Sequence, residues 1–583
     1  MGRRPYNDPT DRHSLGLMNI QCSHCHALHF DSEKLTASTK NNKKFGGCCL
    51  QGQINLPPFS DPPMTLRNLL CGVSPLSKTF KKDIRQYNAA FAFTSLGVKI
   101  DSSVTGAHGG PYSFRINGSL HHRMGALLPE GDEPPRYAQL YVHGGLDQNI
   151  APRLANNPNL NVTIMTQLQA MLHQTHPYVR LFKHANQIMS ELPQEEHSNV
   201  EVRLHVEQSA DKRRYNLPTV DEIAAIVPGD GSENVRSDRD IVVRLIGGSL
   251  QRISHLHPSY SSLHYVLLFP NGEDGWSNAI PTQPGASRNT RSDKVSQRCY
   301  YAYRLHARPG EQPLLFRGGN LLQQYVVDAW ASTEQSALNW VRHNQKELRA
   351  DVYQGLRDAA ANGDNDLQNI GERIVLPSTH IGSPRNMQQL FQDSMAICRF
   401  YRKPDIFLTM TANPNWPEIT EQLLQDDPVP GQSQSRQTAA DRPDIVARVF
   451  EEKKKALLKE VKAGIFGKAV AMVHTIEFQK RGLPHMHLLI FLDQADKIRN
   501  PEDVDSIVSA QIPDKTQNPK LWETVTTTMI HGCTEKCLVN GNCNKNFPKE
   551  FRDQTHFGEN GYPDYARPEN GRTVIKGGKT YDN

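Results

Sequence analysis

The 583-residue sequence contains no run of about 18 apolar residues, so it offers no membrane span. Its opening stretch, MGRRPYNDPTDRH, has no apolar core and is not a secretory signal. Strong charge of either sign is also missing. The chain carries 66 basic residues against 61 acidic ones, for a net charge of +5. That balance is compatible with a nucleic-acid partner but does not demand one. There is no internal repeat. Cysteine is sparse, with 10 residues in all, and it is unevenly spread. Cys22, Cys25, Cys48 and Cys49 lie near the start, and Cys533, Cys537 and Cys543 near the end. Without a secretory signal, clustered cysteines point to metal ligation before disulfides.

What is present is enough to fold. Apolar residues make up 37% and charged residues 22%, and the length suits three to five domains of roughly 100–200 residues. Polar, turn-rich stretches at 208–238, 277–297 and 425–443 read as connections. Residues 239–246 read as a strand. Apolar residues at helical spacing follow Gly318-Gly319, which predicts a helix over 321–342. Ser383-Pro384 supplies an N-cap and first-turn pair for a helix over 384–401. Strand formers fill Ile406–Thr411. A helix then opens at Asp441 and Pro443, with Val446, Phe450, Leu457 and Val461 as its apolar stripe, and closes at Gly467. Its run Glu451, Glu452, Lys453, Lys454 and Lys455 reads as a solvated face. Strands at 469–479 and 485–492, joined by KRGLP, complete a hairpin. The order predicts an α+β fold in which helices pack on one face of an antiparallel sheet.

The sharpest chemical signal is His485-Met486-His487. Histidines two apart on a strand point to one face. A three-residue turn over Arg481–Leu483 sets Glu477 opposite His487 and Gln479 opposite His485, with Thr475 on the same face and Met486 and Phe478 toward the core. Two imidazoles and a carboxylate suit a divalent cation with open positions, Mg2+ or Mn2+, acting as a Lewis acid on a phosphate oxygen. Lys480 and Arg481, at the turn, offer phosphate contacts, and Gln479 lies beside them. Two further His-x-His pairs, His24/His26 and His255/His257, show that the spacing alone is weak.

The N-terminal cysteines suit tetrahedral zinc, with Cys22, Cys25 and Cys48 joined by Cys49 or His29. His531, Cys533, Cys537 and Cys543 could hold a second ion or form a thiol-rich loop. Trp416 could stack on a base or sit in the core. Tyr300, Tyr301 and Tyr303 read as packing residues. GGKT at 577–580 lacks the first glycine of a phosphate loop, since Thr573 stands there.

The run HTIEFQKRGLPHMHLLIFL (His474–Leu492) closely resembles the Rep domain of Helitron transposon proteins, which are His-hydrophobic-His endonucleases. Similar sequence extends over Tyr300–Trp330, Leu338–Leu356, Gly382–Phe400, Asp405–Ile419 and Arg442–Val473. Upstream, Cys22–Pro57, Phe114–Pro129 and Ser249–Trp276 look like the same family. The resemblance implies five regions: a zinc-finger-like module at 15–60, a Helitron N-terminal region at 100–207, a connecting α/β segment at 239–276, a Rep endonuclease core at 298–495 and a Cys-containing segment at 500–583. It implies that His485 and His487 are metal ligands, that Glu477 is a third, and that the partners are single-stranded DNA and transposon ends. A nuclear location is the family expectation. The family's paired tyrosines, four apart on a helix, and its helicase follow the metal motif. Tyr562, Tyr565 and Tyr581 lie at other spacings, so no nucleophile is assigned. The expected product is a fragment of a rolling-circle transposition protein, inactive alone, with a decayed or domesticated DNA-binding protein as the alternative.

Overall fold

A computed structural model of the chain describes residues 12–96, 99–100, 116–117, 122–129, 133–142, 150–191, 200–204, 224–228, 241–244, 251–283, 293–311, 314–344, 376–426, 436–479, 482–531, 538–539, 542–544, 547–559, 561–576 and 578–582. Three linkers anticipated from composition lie partly outside these residues. Two of them are pinched at their bases by isolated bridges, Pro281 to Lys294 and Gln425 to Arg436. The third, 208–238, contains a strand at Ala224–Pro228 rather than connection alone. It pairs in a three-stranded sheet with Val200–Leu204 and Ile241–Arg244, the last within the expected strand at 239–246.

The elements around the histidine motif follow the sequence closely. Helix α1 spans Asn320–His343 after Gly319, whose φ of 48 favours glycine. Helix α2 spans Pro384–Tyr401, and the Ser383 side chain caps it by accepting from the Asn386 N–H. Strand β1 is Ile406–Thr411. Helix α3 is Pro443–Ala463, and it ends at Gly464 in the left-handed conformation, three residues before the expected stop at Gly467. Strands β2 (Ala469–Phe478) and β3 (Pro484–Leu492) form the hairpin. The sheet order is β1-β3-β2, antiparallel throughout, with the histidine strand in the centre. The fold is α+β.

One face of this sheet is dry. Met486, Leu488 and Ile490 of β3 are fully buried and pack with Ile445, Val446, Val449, Phe450 and Val461 of α3. Each such side chain contributes about 1.5–3 kcal/mol on burial. The charged run of α3 is only in part the solvated face its composition suggested: Lys455 is exposed, but the run also turns toward other segments. Glu452 is buried, and Lys453 forms an ion pair at 2.8 Å with the buried Glu418 while donating to the His13 carbonyl. Glu418 also accepts from the Leu15 N–H. Three chain segments are thereby tied together by charges that the sequence pattern could not pair.

A second, larger core joins the cysteine module to helices at 64–71, 75–82, 84–91 and 162–175 and to α1. Asp328 of α1, 1% exposed, organises its polar centre. Its carboxylate accepts from His122 at 2.7 Å, the Tyr260 hydroxyl at 2.9 Å and the Tyr265 hydroxyl at 2.8 Å. Burial pushes this carboxyl up, and His122, with His264 and Tyr265, more than offsets it, holding it below the usual carboxylate range. Tyr300, Tyr301 and Tyr303 are buried packing residues, as expected. Among the described residues no helix is long and apolar enough to cross a membrane.

Glu33 joins the cysteine module to α3. Arg448 of α3 grips it with two nitrogens at 2.9 and 2.7 Å, and His29 Nδ1 donates to it at 2.9 Å. Burial alone would push Glu33 up, but His29 and Arg448 hold it down to about 2. A depressed carboxyl stabilises the fold above its unfolded-state value and loses that contribution as pH falls toward its folded-state value. Glu33→Gln is therefore expected to lower stability by about 3 kcal/mol at neutral pH. The gap to wild type should close below about pH 4 and vanish near pH 2. Urea unfolding across that range checks this, and a gap that does not change with pH rules it out.

Candidate metal centres

The open face of the sheet is a grid set by its register. Thr411, His485 and Glu477 form one cross-strand row, and Thr409, His487 and Thr475 the next. Phe407, Leu489 and Val473 form the third. The register differs by two residues from the one the three-residue turn implied. Glu477 lies opposite His485, and Thr475 opposite His487. The cause is the turn itself: the Gln479 N–H donates to the Leu483 carbonyl, and the Gly482 N–H donates to the Gln479 carbonyl. A two-residue slip keeps every side chain on its face, so the predicted trio stays together. Met486 is buried as predicted, but Phe478 sits opposite Pro484 and is 69% exposed, not in the core.

Glu477, His485 and His487 place one ligand atom each within 4.8 Å of one another. Opposite ligands on an ion with bonds near 2.1 Å stand about 4.2 Å apart, so small side-chain rotations would close the set. His487 Nε2 donates to Glu477 Oε1 diagonally, at 3.2 Å. Its Nδ1 is buried without a hydrogen-bond partner. His485 Nδ1 is hydrogen-bonded to the Thr411 hydroxyl at 2.6 Å. Such a partner fixes an imidazole's tautomer and aim, as the outer partners of metal-ligating histidines do. The two rings meet edge to face, with centroids 4.5 Å apart. Sequence reasoning missed Thr411, which hydrogen-bonds His485, and Phe407, whose ring lies parallel to that of His487. Their alternation along Ile406–Thr411 was visible, but nothing local showed which strand β1 would join.

The N-terminal cluster is tighter and drier. Cys22, Cys25, Cys48 and Cys49 are all buried and within 4.8 Å of one another. Cys22 and Cys49 Sγ atoms are 3.7 Å apart, and Cys48 and Cys49 Sγ atoms 3.8 Å. Four sulfurs bound to zinc at about 2.3 Å define a tetrahedron with edges near 3.8 Å, so the donors fit this ion. The Gly52 N–H donates to Cys49 Sγ at 3.2 Å, and the Cys25 carbonyl accepts from Arg308. Hydrogen bonds from Cys25, Cys48 and Cys49 push the Cys22 thiol well below its ordinary range, while contact with Cys22 pushes Cys48 and Cys49 up. His29, the alternative fourth ligand, instead pairs with Glu33 and stacks on Phe45 at 4.1 Å.

Lys480 and Arg481 lie outside the described residues, as do Cys533 and Cys537; Gln479 is half-buried at the start of the turn. His531 Nε2 and Cys543 Sγ meet at 3.4 Å. Trp416 packs against the sheet core, with Lys453 Nζ 5.1 Å from its ring, so it is a core-edge residue. Within the GGKT stretch, Lys579 and Thr580 belong to a strand, Lys579–Asp582, that pairs with Thr573–Lys576, not to a helix following a phosphate loop.

Residues 300–490 match the family described as the Helitron helicase-like domain at the N-terminus. The match supports a Helitron-related protein. It includes Glu477, His485 and His487 and all but the end of β3, and it excludes the four N-terminal cysteines. No curated protein matches the chain.

Proposed function

We propose that this chain serves Helitron-type rolling-circle transposition by binding single-stranded DNA of transposon ends through a divalent cation. His485, His487 and Glu477 would hold Mg2+ or Mn2+, and the group the ion would serve is a DNA phosphate. The observation that carries this reading is the convergence of two imidazoles and a carboxylate on one open sheet face, inside the stretch that matches the Helitron helicase-like domain. The bound cation would supply Lewis-acid polarisation of the phosphate. The residues hold and aim it: Glu477 lowers the positive charge to be balanced, and Thr411 orients His485. Lys480 and Arg481, placed by sequence in the adjacent turn, would add phosphate contacts, with Gln479 beside them. The four N-terminal cysteines hold Zn2+ and keep their module folded against the rest of the chain. We expect the protein to act in the nucleus, where its DNA partner resides. We assign no side chain as the nucleophile.

Calorimetric titration of Mn2+ into the full chain, with and without a single-stranded oligonucleotide, tests the reading. Saturable Mn2+ binding that the oligonucleotide tightens supports it. No Mn2+ binding, together with equal affinity for single strands and duplex, would overturn it. Thr411→Val removes the hydroxyl on His485 Nδ1 while keeping the strand shape, and should weaken Mn2+ affinity about 10- to 100-fold. An unchanged affinity would show that Thr411 does not position the ligand.

A further inference from the structure

We propose that Phe407, backed by Leu489 and Val473, is a stacking platform for the base of the nucleotide whose phosphate meets the metal-binding trio. This deepens the metal-centre reading and rests on it. A single exposed apolar side chain is ordinary on a protein surface. Phe407 differs in its place. It is 62% exposed and leads an apolar row, Phe407–Leu489–Val473, on the same face as the histidines. Its ring lies parallel to that of His487, with centroids 5.6 Å apart and planes 4° apart. The neighbouring rows are Thr409–His487–Thr475 and Thr411–His485–Glu477.

This pattern narrows the occupant. Residues two apart on a strand are about 6.6 Å apart. Within about 6.6–13 Å, then, the face turns from a flat apolar edge to a group of ligands suited to a cation and its anionic partner. A docking protein helix would need a continuous apolar stripe, which the threonine and histidine rows interrupt. A nucleotide carries an apolar planar base and an anionic phosphate at this spacing, which matches both ends. The base must be unstacked, as a single strand allows, since in a duplex its faces are covered by its neighbours. Stacking also tolerates any base, so this contact would supply affinity and placement more than sequence choice.

The test uses the full chain with Phe407→Ala and Phe407→Trp, a labelled single-stranded oligonucleotide and a matched oligonucleotide of abasic sites. Phe407→Ala should weaken binding of the base-bearing strand about 5- to 100-fold. It should bind base-bearing and abasic strands alike, and keep wild-type Mn2+ affinity without DNA. Phe407→Trp should keep wild-type DNA affinity. If Phe407→Ala binds the base-bearing strand as tightly as wild type, the platform is wrong. The platform also fails if the variant changes only the oligomeric state, which would assign the ring to a protein contact. If wild type binds no Mn2+ yet Phe407→Ala still loses its preference for bases, the metal reading fails and the platform stands.

Discussion

Replacing His485 and His487 together with alanine should abolish measurable Mn2+ binding by the full chain and leave its thermal unfolding essentially unchanged. The substitution removes two of three protein ligands and leaves Glu477, a largely exposed carboxylate. Losing a single outer-shell partner of a metal site costs about 10- to 100-fold in affinity, so losing two direct ligands should cost at least about 100-fold. The fold should survive because the histidines face outward from β3. The inward residues Met486, Leu488 and Ile490 carry the core and are untouched. Glu477→Gln should fall between wild type and the double variant: it keeps an oxygen ligand but loses the charge that balances the cation. Single-stranded DNA affinity measured in Mn2+ should drop with the double variant, and chelator should lower wild type to the same level. Mn2+ binding that survives in the double variant would place the ion elsewhere and remove the basis for the proposed chemistry. An unfolded double variant would be a different failure, detected by circular dichroism before any titration.

The histidine trio could be found from sequence because strand alternation is robust to error. The turn between β2 and β3 is closed by Gln479 and Gly482, which moved the pairing by two residues from expectation. Parity held, so Glu477, His485 and His487 still converge. Helix starts were equally legible where a local device sets them, as at Ser383. Contacts between distant segments were not legible. Glu418 lies 35 residues from Lys453, and Glu33 lies 415 residues from Arg448. No pattern within α3 reveals that its Lys453 and Arg448 are held by these partners. For the same reason the sequence left His29 open as a zinc ligand, while the structure commits it to Glu33. Phe407 was hidden at a further step, because the stacking role proposed for it depends on β1 lying beside β3 rather than on anything in Ile406–Thr411.

Cys25→Ser combined with Cys48→Ser should have the larger effect on stability. Purified wild-type protein should carry about one zinc per chain, and the variant none. The loss should exceed that of an ordinary large-to-small core substitution, about 2–5 kcal/mol, because in small zinc modules metal binding supplies about 10–16 kcal/mol of folding energy. An apparent melting temperature lower by about 10 °C or more is expected. The cysteines are not an isolated finger: they share a core with Phe45, Ile54, Leu66 and Tyr303. Arg308 reaches back to the Cys25 carbonyl and lies 3.7 Å from the Tyr303 ring centroid. Leu28 donates its N–H to the Ala307 carbonyl, and its own carbonyl accepts from Arg448. Releasing the cysteines should therefore loosen the pairing of Ile20–Gln21 with Leu28–His29 and, through Glu33 and Arg448, weaken the attachment to α3. Proteolysis should begin in the polar segment 36–44 of the variant and of chelator-treated wild type. Cys299→Ala, which alters a half-buried thiol outside the cluster, should keep the zinc and the protease resistance. If wild type contains no zinc and chelator changes neither melting nor proteolysis, the four thiols are packing residues whose close spacing serves only the core. Loss of zinc with no loss of stability would instead leave the ion bound but without a structural role. Stability, zinc content and protease resistance must therefore fall together for the four cysteines to be the element that fastens the N-terminal module to the Helitron-related region.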